Sequence, residues 1–465
     1  MLYISIDKTK KRSYAEQIYG ILREKILSGE LSAGESLPSS RELSRELSVA
    51  RNTVLTAYDR LVSEGAVTSV AGSGYFVSPG AKNVAQKNLM EHRQTASLTD
   101  YAISEAAINF DSGLPALDLF PREKWNRAVS RAFLDAPVSA LGYDDPQGRP
   151  ELRRVLCGYL KKTRGITCTP EQIIVTAGTK QGLTLAAKCL LNSESEVWME
   201  NPSNANVRKI FSYHTDNIVP FEVDGQGIRP EVFPQDGTPD LIFVTPSHQF
   251  PMGGILPLQR RIAMIEFARK SGAYLLEDDY DSTFTYAGQP ANSLFELDSD
   301  RVIYVGTFSK VLFPSLRLGY LVVPEHLVPQ MRELKRLSDH HSNSVYQLGL
   351  MRFMESGEVE RHIRRMKKVY RTRRDSLLEL LRTYFGERVI IYGGGAGMHV
   401  VAEFEGVIFS EEVIQKLLKA GVYVVSVERH SLTKGNHRNQ IILGYASLTE
   451  EDMRRGLDIL KEIMM

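Results

Sequence analysis

The sequence predicts two unlike parts, a small N-terminal α+β head and a large α/β body that ends in a smaller α+β subdomain. Three observations carry that prediction. Residues 15–78 read as a helix, a helix–turn–helix and a hairpin. Between 173 and 323, short apolar runs bounded by glycine and proline alternate with helical patterns, which is the mark of a mainly parallel sheet with its ligand at the strand carboxyl ends. Past Gly357, a long charged helical pattern leads into short strand-like runs and a last amphipathic helix.

Composition sets the outer limits. At 465 residues, 43% hydrophobic and 24% charged, the chain can build two or three domains and falls outside the disordered and membrane classes. The formal net charge is +1, so any nucleic-acid binding must rest on a local patch. Cys157, Cys168 and Cys189 lack metal-ligand spacing and fall in apolar runs, and so read as reduced core cysteines; no metal is expected. The N-terminus turns polar too soon for a signal peptide and no apolar run reaches membrane length, so the expected compartment is the cytoplasm.

In the head, 15–27 carries Ile18, Ile21, Leu22 and Ile26 at helical spacing and stops at Gly29. Ser39 and Glu42 offer a capping box ahead of Leu43 and Leu47, so a short second helix follows. A third, 50–64, places Val54, Ala57, Tyr58 and Leu61 on one stripe and ends at Gly65. Two β-rich runs, 66–70 and 75–78, joined by Ala71-Gly72-Ser73-Gly74, complete a winged helix. The start of its third helix, Arg51-Asn52-Thr53, presents donors suited to phosphates and base edges, and the glycine-rich tip suits an adjoining minor groove. The competing reading is a small interaction domain whose polar face is merely solvated. Residues 79–108 lack periodicity and read as a linker. The expected boundaries are therefore 1–78 for the head, 79–108 for the linker and 109–465 for the body, with the small subdomain from about 358.

The body's chemistry gathers around Thr307-Phe308-Ser309-Lys310, which follows one strand-like run, with Arg317 just before the next. A lysine at a strand end, desolvated and flanked by another cation, has a lowered pKa and can attack an aldehyde, while the hydroxyls and Arg317 suit a phosphate. This describes a Schiff-base site for pyridoxal phosphate. Glu277-Asp278-Asp279-Tyr280, at a neighbouring strand end, can supply an anion for a pyridinium nitrogen and a phenol for a ring hydroxyl. The run 176–182 opens a helix directly after a strand, and its free N–H groups and dipole suit a phosphate.

With these three clusters in this order, the chain from about Asn109 onward resembles the fold-type I aminotransferases. The runs 31–43, 49–58, 61–65 and 72–77 resemble the GntR-type winged-helix DNA-binding domain. Together they resemble the MocR/GabR-type bacterial regulators, whose characteristic loop is closely matched by Thr-Pro-Ser-His-Gln-Phe-Pro-Met-Gly, 245–253. The implied fold is multidomain, a winged helix plus an α/β PLP-dependent aminotransferase-like fold. The resemblance implies that Ser39, Ser40, Arg41, Arg51, Asn52 and Thr53 contact DNA, with Gly74 at the wing. It implies Lys310 as the PLP lysine, Asp278 against the pyridine nitrogen, and Tyr280 at the ring hydroxyl. Asp279 is the less suitable carboxylate, because neighbours in a strand point in opposite directions. Gly178, Thr179, Lys180, Thr307, Ser309 and Arg317 would take the phosphate, and His248 or Gln249 the ring edge. A head-to-tail homodimer on a two-half-site DNA operator is implied as well.

Two departures bear on function. Asn201-Pro202 continues Ser203-Asn204-Ala205-Asn206, where these enzymes commonly carry an aromatic soon after Asn-Pro, and Ile442 stands before Leu443-Gly444-Tyr445, where they usually carry a carboxylate-binding arginine. Either Arg208, Arg429 or Arg438 replaces it, or the ligand is not an ordinary α-amino acid. The expected function is a PLP-dependent transcriptional regulator sensing a small amine or amino acid, or PLP itself. The alternatives are an active aminotransferase with a DNA-binding head and a DNA-binding protein whose body is only a dimerisation scaffold.

Overall fold

The computed structural model of the protein describes residues 4, 6–7, 12–79, 108–286 and 291–464. The linker expected over 79–108 lies, apart from its two end residues, outside the described residues. The chain divides into two compact units, the head and the body.

In the head, the first helix, Tyr14–Ser28, starts from a capping box. The Ser13 hydroxyl accepts from the Glu16 N–H, and the Glu16 carboxylate accepts from the Ser13 N–H. Its buried stripe is Ile18, Leu22 and Ile26. The second helix, Ser40–Glu46, begins where the Ser39 hydroxyl accepts from the Glu42 N–H at 3.2 Å. The third, Arg51–Ser63, buries Val54, Ala57, Tyr58 and Leu61 against the other two, each large apolar side chain contributing about 1.5–3 kcal/mol. The Tyr58 hydroxyl donates to the Pro38 carbonyl at 2.8 Å, which fixes the turn before the second helix. Strands β1 (Val67–Val70) and β2 (Gly74–Val77) pair antiparallel, with Val67 opposite Val77, and form the wing. Gly74 has φ 107°, a conformation that would strain any other residue.

The body opens with β3 (Ile108–Asn109). Its main sheet then takes β4 (Ile173–Thr176), β5 (Val197–Asn201), β6 (Ile218–Asp224), β7 (Gly227–Ile228), β8 (Leu241–Val244), β9 (Tyr274–Asp279), β10 (Val302–Thr307) and β11 (Gly319–Val322), in the order β4-β11-β10-β9-β8-β5-β6-β7. Strands β6, β5, β8, β9 and β10 run parallel, while β11 is antiparallel to both its neighbours. Both faces are covered by helices, so successive residues feed two separate cores. Ile173, Val175, Ile242, Val244, Val302 and Tyr304 point to one core, and Ile174, Leu241, Phe243, Ile303 and Val305 to the other. This explains why these strands read as continuous apolar runs rather than as alternation.

Helix Glu358–Phe385 leads into an antiparallel sheet of β12 (Val389–Tyr392), β13 (His399–Phe404), β15 (Val425–Ser426) and β16 (Gln440–Gly444), in the order β12-β13-β16-β15. The short β-rich run 422–426 is divided between two sheets. β14 (Val422–Tyr423) pairs in parallel with β3, and β15 pairs with β16, because the chain turns between them to serve two sheets. The core of this subdomain therefore also draws in Ile108 and Phe110 from the start of the body. Among the described residues no helix is long and apolar enough to cross a membrane.

Candidate cofactor cleft and nucleic-acid interface

A cavity of about 610 Å³ lies between the carboxyl ends of β4, β9 and β10 and the small subdomain. It is lined by Thr179, Lys180, Asp278, Tyr280, Thr307, Ser309, Lys310 and Arg317, so it brings together most of the residues singled out in the sequence. Gly178 caps the helix Thr179–Leu190 with φ 97°, and no side chain occupies that helix start. A Cβ on Gly178 would meet the Arg317 guanidinium at 3.1 Å, so only glycine lets the backbone and this arginine approach so closely. Arg317 itself sits in the left-handed region at φ 51°. Among the described residues neither Arg317 nor Lys180 is ion-paired. An uncapped helix start and two uncommitted cations on one wall are features that suit an anion.

Lys310 follows β10, and its Nζ donates to the Gly113 carbonyl at 2.7 Å. Burial lowers its pKa, and Asp111, Asp281 and Asp278 oppose that shift. Asp278 faces the cavity with its Oδ1 buried and unpartnered, and burial, with Asp279 and Asp281 adding to it, pushes its pKa up to about 8. Its neighbours turn the other way. Asp279 Oδ2 lies 2.7 Å from Arg164 Nε, with both side chains buried, and accepts from the Tyr304 hydroxyl. Glu277 caps the short helix at Ser293 and Leu294. Alternation along β9 thus leaves one carboxylate for the cavity, and it lacks a donor. A ring N–H would satisfy it. The unpartnered Asp278 oxygen, the lysine and the anion wall together fit pyridoxal phosphate.

Other predicted residues are placed elsewhere. His248 and Gln249 do not line the cavity. His248 Nδ1 lies 3.0 Å from Asp281 Oδ2 and 3.0 Å from the Tyr280 hydroxyl, behind the Tyr280 side chain. Gln249 Nε2 donates to the carbonyls of Pro202 and Phe250 at 2.8 and 2.7 Å, which holds its loop together. Arg429 lines the cavity and also an adjoining groove of about 820 Å³ that contains Arg208. Arg208 Nη1 donates to the Ser431 carbonyl at 3.2 Å. Arg438 is exposed and lines neither. Ile442 does reach the cavity, from an apolar patch with Val401, Val427 and Phe250. Sequence reasoning missed Asp111, Ser112 and Gly113, Asn204, Phe250 and His430 as lining residues, and Arg164 and Asp281 as the groups behind them. Only the Asn109-Phe-Asp-Ser-Gly113 run carried a signal, as the expected opening of the body.

In the head, Arg41, Arg51 and Asn52 are exposed at the starts of the second and third helices, with Ser39 beside them. Ser40 is buried, and its hydroxyl accepts from Arg51 Nε at 3.2 Å. Thr53 is half-buried, and its N–H donates to the Ala50 carbonyl at 2.9 Å. Charges are sorted across this unit. Arg23 pairs with Glu64 and Lys25 with Glu30, whereas Arg41, Arg45 and Arg51 have no carboxylate partner among the described residues. Unpaired cations beside an uncapped helix start suit a phosphate backbone.

Residues 105–460 match the family described as Aminotransferase class I and II, and residues 14–77 match Bacterial regulatory proteins, gntR family. The chain is 34% identical to the uncharacterized HTH-type transcriptional regulator YhdI of Bacillus subtilis, over 98% of this chain and 97% of the relative. It is 33% identical to the probable rhizopine catabolism regulatory protein MocR of Rhizobium meliloti, over 99% and 95%. The body is similar to a kynurenine aminotransferase of Pyrococcus horikoshii solved with PMP, at 26% identity and TM-score 0.73, covering 80% of this chain and 95% of that one.

Proposed function

This chain belongs to the MocR-type transcriptional regulators, with a gntR head and a class I and II aminotransferase body that takes pyridoxal phosphate, and from that premise we propose that it senses a small amine or amino acid at Lys310. The observation that carries the reading is the cleft itself, which gathers Lys180, Asp278, Lys310 and Arg317 in one cavity and has Ile442 where a carboxylate anchor would stand. Bound there, pyridoxal phosphate supplies an aldehyde carbon and an electron-withdrawing ring. The chain's own residues do the rest. Lys180, Arg317, Thr179, Thr307 and Ser309 would hold the phosphate, with Gly178 allowing close approach. Asp278 would keep a proton on the ring nitrogen, Tyr280 would address the ring hydroxyl, and Lys310 would offer its amine to the aldehyde carbon.

The effector's acid group would be met by Arg429, with Arg208 close by in the adjoining groove. Binding would favour one body conformation and, through it, one presentation of the heads to operator DNA. Phe133, Leu134, Val138, Leu141 and Tyr143 form a run of exposed apolar side chains on the body, which supports a homodimer that covers them. Ser39, Arg41, Arg51, Asn52, Thr53 and Gly74 would meet the DNA, with Ser40 positioning Arg51, and this work would be done in the cytoplasm.

The test is binding to the protein's own upstream DNA, with and without pyridoxal phosphate and a panel of amines and amino acids. An amine-dependent change in affinity is expected. Arg51→Ala should weaken operator binding by roughly 1–3 kcal/mol. Efficient multiple turnover with an amino donor and a keto acid, together with amine-independent DNA binding, would replace the sensor by an aminotransferase with a DNA-binding head.

A further inference from the structure

Away from the cleft, two thiols are in contact. Cys157 lies on the helix Pro150–Arg164 and Cys168 in the segment leading to β4, and their Sγ atoms are 3.8 Å apart. Both are free and half-buried, so a small oxidant can reach them. The backbones that carry them are already tied together. Arg153, one turn before Cys157, donates to the Pro170 carbonyl at 2.9 Å and to the Gly148 carbonyl at 3.0 Å. A disulfide needs the sulfurs at about 2.05 Å, so the two side chains must turn toward each other to close the remaining gap.

We propose that Cys157 and Cys168 form a modification site for peroxide, oxidised reversibly to an intramolecular disulfide. The Cys157 thiolate attacks one peroxide oxygen and the O–O bond breaks. The departing hydroxide takes the proton released by the Cys157 thiol and leaves as water, and Cys157 becomes a sulfenic acid. Cys168 sulfur then attacks Cys157 sulfur, the S–O bond breaks, and the hydroxyl leaves with the Cys168 proton as a second water. Two thiols and one peroxide give one disulfide and two waters, and the two electrons pass from sulfur to the peroxide oxygens.

The hydrogen-bond direction assigns the roles. The Cys168 S–H donates to Cys157 sulfur, which favours the thiolate at 157 and lowers its pKa against the opposing effect of burial. The same bond raises the pKa of Cys168, which suits a resolving thiol. Cys189, on the helix Thr179–Leu190, provides the internal contrast, since burial alone pushes its pKa to about 11. The new bond would hold the helix to the lead-in of β4, whose far end carries the turn into Gly178 and Lys180. Oxidation therefore stiffens this corner of the body without rearranging the fold.

The experiment treats full-length protein with one equivalent of hydrogen peroxide, alkylates the remaining thiols and reads intact and peptide masses. Expected are the loss of two hydrogen atoms, one alkylated thiol where the reduced chain has three, a peptide joining Cys157 to Cys168, and full recovery with dithiothreitol. Cys189→Ser should behave as wild type in forming the link, and Cys157→Ser and Cys168→Ser should each abolish it. The proposal is overturned if all thiols stay alkylatable in excess peroxide, if Cys157 gains oxygen atoms without a cross-link, or if the link runs to Cys189 or between chains. The readout is covalent, so it stands apart from the sensing reading.

Discussion

The two walls of the cleft are built on opposite plans. The wall from β4, β9 and β10 carries Lys180, Asp278, Lys310 and Arg317 at strand ends and a helix start, with a buried Arg164–Asp279 pair behind it. The wall from the small subdomain is largely aliphatic and aromatic, with Val425, Ile442 and Tyr423, and its polar groups are Arg429 and His430. On the proposed reading, the groups that hold a cofactor are retained while the carboxylate anchor is displaced from position 442 towards the cleft mouth. On that reading, cofactor binding and ligand choice would be written on different subdomains.

Breaking the first wall should have the largest effect. Lys310→Ala should abolish the visible absorbance band of the cofactor-loaded protein, and a band that survived would put the attachment elsewhere. Arg164→Met should leave Asp279 as a buried carboxylate without its cation, at a cost of about 3–5 kcal/mol read from chemical denaturation. A stability change below about 1 kcal/mol would mean that the pair does not brace β9.

In the small subdomain, burial pushes the pKa values of His430 on the second wall and of His399 on β13 down from 6.5 to about 4. A depressed folded pKa contributes stability that is present above the unfolded value and lost as pH falls through the folded one. Stability should therefore decline between pH 6.5 and about 4, with up to roughly 3 kcal/mol per histidine at stake. His399→Gln should flatten that decline, and an unchanged slope would place the acid sensitivity elsewhere. The smallest effect is expected at the proposed anchor. Arg429→Ala should weaken the spectral response to carboxylate-bearing amines by about 1.5–3 kcal/mol while leaving cofactor loading intact. The converse change, Ile442→Arg, should shift the response to simple α-amino acids to lower concentration. It should also lower thermal stability, since it puts a cation among Val401, Val427 and Phe250. No change in the α-amino acid response of a folded variant would move the carboxylate site away from β16.

The first wall was legible in the sequence because its chemistry is local. Hydroxyls, lysine and arginine within a few residues of a strand end are a pattern that one segment can carry, and alternation along β9 separates Asp278 from Asp279 by geometry alone. The apolar runs that became the strands of the main sheet were legible for the same reason. Contacts between distant segments were not. Lys310 and Gly113 are 197 residues apart, and a backbone carbonyl leaves no mark in residue identity. Arg164 reads as an ordinary basic residue at a helix end until the fold buries it against β9. His248 and Gln249 sit in a distinctive run, but a motif does not say which of its side chains face inward. The division of 422–426 between two sheets was hidden because both halves have the same β-rich composition.

Lys310 spends its hydrogen bond on the Gly113 carbonyl, and Gly113 lies shortly after β3, which is paired to β14. On the proposed reading, an amine joined to an aldehyde carbon gives up most of its N–H donors, so ligation of the lysine would compete with its bond to the carbonyl at 113, which would then need a new donor or water. That competition is reciprocal. Any force that draws 111–113 away from the lysine alters the affinity of the amine for its other partner by the same factor that ligation alters the freedom of this segment. One exchanged hydrogen bond of about 0.5–1.5 kcal/mol corresponds to a roughly two- to tenfold bias, delivered to the main chain at the point where the body begins.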